Sequence, residues 1–201
     1  MTPSPAVIAA ALAAFALMFL DEPTAHLVAE YQPSPLWGQL LEVLEHALGL
    51  SIHKWALAGA LFLGAAVTWV HRPWRGQTRI WLWLAATHVI SRLLTNAIKD
   101  ATGRVRPPAW LEHGGGTFGH DGLASPAFPS GHVALFASVL VPLAIVAPRT
   151  RPALAVVVFV AAARIVANAH WVSDTLAAIT VVAVVASATG WVLRLTRPRT
   201  A

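Results

Sequence analysis

Residues 153–193 read ALAVVVFVAAARIVANAHWVSDTLAAITVVAVVASATGWVL, and their only ionisable side chains are Arg164, His170 and Asp174. The apolar runs on either side, 153–169 and 173–193, approach the roughly 20 residues that cross a hydrocarbon layer. The stretch therefore reads as two antiparallel membrane helices joined by a tight turn, with three charged or titratable groups gathered near that turn. Working outward, similar runs lie near 5–20, 52–70, 80–101 and 130–147, which gives six crossings. The expected fold is all-α, an integral membrane bundle of six transmembrane helices forming one domain over 1–201.

Composition agrees. Of 201 residues 57% are hydrophobic and 23 are charged, where an average soluble chain of this length carries about 50 charges. An ordinary soluble domain is excluded. The net charge of +5 on so apolar a chain points to a membrane and not to nucleic acid, because little polar surface exists to bind one. With no cysteine, disulfides and thiolate metal sites are impossible.

Residues 21–51 separate the first two runs. Within them Trp37, Leu40, Leu41, Val43, Leu44, Ala47 and Leu48 alternate with Glu42, Glu45 and His46 at helical spacing. This predicts a helix near 36–50, either lying on the membrane or partly buried as a loop helix. The first run is read as a retained helix; the alternative, a secretory leader, lacks a preceding Lys or Arg.

Orientation follows from the arginines. Arg72, Arg75, Arg79, Arg149, Arg151, Arg194, Arg197 and Arg199 share one face of the six-span arrangement, and the acids fall on the other. The positive-inside rule makes the arginine face cytoplasmic. Both termini are then inside, and the loops at 21–51, 102–129 and 170–172 are outside. Trp55, Trp69, Trp74, Trp81, Trp83, Trp171 and Trp191 at span ends suggest an aromatic belt.

Ionisable groups in spans are costly and usually functional. Arg92 and Lys99 lie two helical turns apart, with Asn96 between them and His88 a turn below, either as part of a site or as a polar seam between helices. Seven residues after Lys99 comes Arg106, after Gly103 can end the helix, and Pro107 favours an extended backbone at Arg106. Pro129-Ser130-Gly131-His132 opens the fourth run, where Ser130 can cap the helix and first-turn amides can face an anion. That string alone is weak, since capped helices with structural histidines are common. In the third group, Asp174 can accept a hydrogen bond from one nitrogen of His170 and leave the other as a nucleophile.

Lys99-x6-Arg106-Pro107, Pro129-Ser130-Gly131-His132 and Arg164-x5-His170-x3-Asp174 together resemble the three-part signature of the type 2 phosphatidic acid phosphatase superfamily, over about residues 80–180. One position departs: Ala163 stands where those enzymes usually have Ser, so one phosphate-binding hydroxyl is absent. The resemblance implies a metal-independent lipid phosphatase without a cofactor. Lys99, Arg106, Ser130, Gly131 and Arg164 would bind phosphate. His170 would attack phosphorus to form a phosphohistidine, with Asp174 orienting it, and His132 would act as acid and then base. The implied partner is a lipid phosphate or pyrophosphate, such as undecaprenyl pyrophosphate, phosphatidylglycerophosphate, phosphatidic acid or a lipid A phosphate. A pyrophosphate would engage Arg104 or Arg92 as well. The same motifs occur in vanadate-dependent haloperoxidases, which are soluble and larger. An anion transporter using Arg92, Lys99, Arg106 and Arg164 is the alternative from another class, but the two histidines would then be surplus. Tail selection is expected of 108–128 and the helix near 36–50.

Overall fold

The computed structural model describes residues 4–47, 55–119 and 126–193. These form α1 (Pro5–Phe19), α2 (Asp21–Tyr31), α3 (Leu36–Ala47), α4 (Ala56–Val70), α5 (Thr78–Thr102), α6 (Pro107–His113), α7 (Gly131–Val146), α8 (Leu154–Val166) and α9 (Val172–Val192). No strand occurs among the described residues, so the fold is all-α. Each of the six apolar runs becomes one helix. Residues 1–3, 48–54, 120–125 and 194–201 lie outside the described set, and with them the end of the expected 36–50 helix, the start of the 52–70 run, Asp121 and the last three arginines.

Local chemistry sets several boundaries. The Ser4 hydroxyl accepts the Val7 N–H at 3.3 Å and Pro5 opens α1. Gly103 stops α5 in the left-handed conformation, with φ of 54°. Arg106 is extended before the Pro107 that begins α6, as the sequence predicts. Helix α8 ends at Val166, three residues before its apolar run does. There the chain turns through Asn168 (φ 49°), and the Ala169 and His170 N–H groups both return to the Arg164 carbonyl.

The 21–51 segment holds two helices where the sequence predicts one. Helix α2 breaks from α1 at a 64° bend and carries Asp21 and Glu22 in its first turn, where the helix dipole favours them. Its short, weakly periodic sequence hides it. Helix α3 lies against α7 and α8: Leu41 joins a buried cluster with Val133, Ala137, Val157 and Val160, and Trp37 stacks on Phe159 at 5.9 Å. Its Leu36, Leu40 and Val43 remain exposed.

Helices α5, α7 and α9 pack together at the centre, flanked by α4 on α5, α8 on α7 and α1 on α9. The buried Trp83 donates to the Ala186 carbonyl at 3.0 Å, and Thr87 meets Thr189, tying α5 to α9. Trp83 and Trp171, 0% and 1% exposed, therefore serve the core and not an aromatic belt; Trp69, Trp74 and Trp191 are exposed.

Among the described residues α9 alone is long and apolar enough to cross a membrane by itself, and α1 with α2 qualifies as a bent pair. Helices α4 and α7, with 15 and 16 residues, are apolar but shorter; at 1.5 Å per residue they reach about 22–24 Å against a hydrocarbon core of about 30 Å.

A Cβ at Gly64 would lie 2.7 Å from the Trp81 ring, so α4 approaches α5 as closely as a missing side chain allows. Gly64→Ala is expected to destabilise the bundle by about 1–3 kcal/mol through overpacking, read as a lower melting temperature in detergent. An unchanged melting temperature would contradict this contact.

Candidate active site

Three chain segments meet where α5, α7 and α9 converge. The Ser130 N–H donates to the Asp174 carbonyl at 3.0 Å, joining the start of α7 to the start of α9. The Trp171 indole donates to the Val105 carbonyl at 2.8 Å, and an Arg106 guanidinium nitrogen donates to the Ala169 carbonyl at 3.0 Å, joining the segment after α5 to the turn before α9. Lys99, in the last turn of α5, donates to the Pro126 and Ala127 carbonyls at 2.6 and 3.2 Å, which draws the segment before α7 over it.

A cavity of about 360 Å³ opens between these segments, lined in part by Lys99, Arg106, Gly131, His132 and His170. Five of the eight site residues implied by the motifs thus share one space. Ser130, Arg164 and Asp174 lie outside its lining. Ser130 occupies the N-cap position of α7 but its hydroxyl makes no capping bond; it is buried without a partner, as is Arg164 Nε. Buried polar atoms normally find partners, and these two have none. Ala163 is 1% exposed in the apolar cluster with Val160 and offers no hydroxyl.

His170, 3% exposed, sits just before α9 with Nδ1 3.3 Å from Asp174 Oδ2, which leaves Nε2 as the second ring nitrogen. Asp174 Oδ2 also accepts the Trp171 N–H at 3.0 Å. Burial holds the His170 ring below its ordinary pKa, with Asp174 opposing the shift and Lys99 and Arg164 adding to it. The imidazole is therefore neutral with a usable lone pair near pH 7.

Arg104 is not a cavity cation. It is 1% exposed and spans two carboxylates, donating through one terminal nitrogen to Asp174 and Ser173 and through the other to Asp21 at 2.7 Å. Phe118, Phe128 and Trp171 surround its guanidinium carbon at 4.8, 5.9 and 5.1 Å. The pyrophosphate-binding role open to Arg104 from sequence is thereby corrected, because its charge is already spent on Asp21 and Asp174. No motif marks Asp21, which lies 83 residues from its arginine.

Glu45 was also not legible as a site residue. It reaches into the cavity from α3 and places Oε1 3.1 Å from His132 Nε2, an approach not aligned as a hydrogen bond. Burial raises the Glu45 carboxyl above its usual range while Arg164 pulls it down. The lining also includes His88, Arg92, Thr95, Asn96 and Ser138. His88 meets Ser138 at 2.8 Å, so this row joins α5 to α7 and also lines the space. No cluster with metal-holding composition occurs among the described residues.

The cavity thus gathers cations, the start of α7 and two imidazoles, one of them backed by a carboxylate. The chain belongs to the PAP2 superfamily, whose family model matches residues 80–199 and so contains all three motifs. It is 35% identical over 100 residues to a lipid A 1-phosphatase of Rhizobium etli, and 35% identical over 104 residues to one of Rhizobium johnstonii. Each match covers 47% of this chain and 42% of the relative, so the chain matches less than half the length of these curated relatives. No solved structure matches the chain.

Proposed function

We propose that this chain is a phosphatase that removes a phosphoryl group from a lipid phosphate or pyrophosphate through a phosphohistidine. The observation that carries the reading is the common cavity of Lys99, Arg106, His132 and His170, with Asp174 held on the far nitrogen of His170. Lys99, Arg106 and Arg164, the Ser130 hydroxyl and the Gly131 amide neutralise the phosphoryl oxygens. His170 Nε2 donates its lone pair to phosphorus as the ester P–O bond breaks, and protonated His132 gives its proton to the departing oxygen. Neutral His132 next takes a proton from water, whose oxygen attacks phosphorus; the P–N bond breaks, and inorganic phosphate leaves with His170 and His132 restored. Glu45 must move away from His132 Nε2, or gain a proton, for that nitrogen to serve the substrate.

The chain forms a single domain in which α1, α4, α5, α7, α8 and α9 cross the plasma membrane. The site faces the exterior or periplasm, both termini face the cytoplasm, and α3 rests at the outer interface. Supporting this are exposed apolar side chains on several helices, such as Val7, Phe15, Met18, Leu63, Val70, Val158 and Trp191, more than a soluble monomer ordinarily leaves bare. Lipid A phosphate heads the substrate panel because the curated relatives carry that name; phosphatidic acid, phosphatidylglycerophosphate and undecaprenyl pyrophosphate complete it.

The test is phosphate release by purified protein from this panel in detergent with EDTA. Release that persists in EDTA and is blocked by vanadate is expected; no release from any member would overturn the reading. Orientation is checked separately, since the chain has no cysteine. Single cysteines at Gly76 and Gly115 should be labelled by an impermeant reagent from opposite sides, and labelling of both from one side would refute the topology.

A further inference from the structure

We infer that Asp21, on a helix outside all three motifs, is a positioning residue for His170 that acts through Arg104 and Asp174. The inference rests on the phosphatase reading above. Asp174 divides its two oxygens: Oδ2 serves His170 and the Trp171 N–H, while Oδ1 accepts from Arg104. A guanidinium bonded to one carboxylate alone would draw that negative charge toward itself and away from the imidazole. Here Arg104 is shared. Its other terminal nitrogen donates to Asp21 Oδ2 at 2.7 Å, Asp21 Oδ1 accepts the Ser173 N–H at 2.9 Å, and the Ser173 hydroxyl bonds both Asp21 and Arg104.

Asp21, Arg104 and Asp174 are 3%, 1% and 0% exposed, so water screens these charges little. Two carboxylates on one guanidinium leave one net negative charge, and the imidazole of His170 lies next to it. The other titratable or charged groups around His170 and its cavity are His88, Arg92 and Lys99 from α5, Arg106 before α6, His132 from α7 and Arg164 from α8, all basic, and Glu45 from α3, whose carboxylate lies against His132. Asp174 thus supplies the negative charge that supports a positive His170 ring, and Asp21 keeps Arg104 from cancelling it.

The experiment compares wild type, Asp21→Asn, Asp21→Glu and His170→Ala on the best lipid of the panel, with pH profiles of kcat and KM. For Asp21→Asn, kcat is expected to fall about tenfold with KM nearly unchanged, as when other second partners of functional histidines are removed. Its acid limb should move to lower pH, because weaker support from Asp174 lets the His170 ring lose its proton more readily. Asp21→Glu should restore most of both. A folded Asp21→Asn enzyme with the wild-type acid limb overturns the inference, whether or not kcat falls, since a merely structural role would leave the titration in place. Should Asp21→Asn not fold, Ser173→Ala keeps every charge and removes only the shared hydroxyl. It is expected to move the acid limb the same way by less, and an unmoved limb there also overturns the inference. Inactive wild type would strike the phosphatase reading itself; active wild type, dead His170→Ala and an unshifted Asp21→Asn would strike this inference alone.

Discussion

His170→Ala is expected to lower phosphate release from the lipid substrate by about a thousandfold or more, the scale on which enzymes lose rate with their nucleophile. The reason is geometric. The ring is buried, its Nδ1 faces Asp174, and its Nε2 remains to attack in a cavity ringed by Lys99, Arg106 and His132. Among the described residues no other imidazole has a carboxylate partner in that arrangement; His132 meets Glu45 through Nε2 itself. The variant should still bind vanadate or phosphate, since the cations are intact, and should give no acid-labile, base-stable phosphoenzyme after a rapid quench. Full activity in His170→Ala would sink the mechanism.

His132→Ala is expected to cost about 10²–10⁴-fold on a lipid phosphate, the usual worth of a general acid or base. Its signature should depend on the leaving group. An alkoxide or sugar oxygen needs the proton, whereas a nitrophenolate leaves without one. With p-nitrophenyl phosphate the first step should therefore be largely spared while water attack on the phosphohistidine stays slow, giving a burst of nitrophenol and an accumulating phosphoenzyme. Equal losses on both substrates without a burst would remove His132 from the acid role.

Much of this was open to reading from sequence, and the reasons are local. Apolar runs give helix positions because burial or lipid contact must cover a whole helix, and Gly103, Pro107 and Asn168 stop or redirect the chain through their own backbone preferences. Lys99, Arg106, Gly131, His132 and His170 fall in one cavity because their motifs sit at helix ends that converge. What sequence did not reveal depends on distant pairing. From sequence Asp21 and Glu45 are two acids of the outer segment 21–51, and only tertiary packing brings one to Arg104 and the other to His132. Trp83 and Trp171 resembled belt residues since they lie near run ends, yet their indole N–H groups are spent on Ala186 and Val105. Helix α2 escaped notice because eleven residues with little amphipathic pattern owe their shape to what they pack against.

The Asp21–Arg104–Asp174 cluster also joins residues that the ribosome delivers far apart. Asp21 emerges first from the ribosome, Arg104 is 83 residues behind it, and Ser173 follows Asp21 by 152. Until α9 packs beside α1, Arg104 has Asp21 but lacks Asp174, and the buried cluster is incomplete. Helix α9 therefore closes a cluster that α2 began. A bundle lacking α2 or α9 leaves Arg104 with one carboxylate instead of two, so these two helices depend on each other through a side chain that belongs to neither.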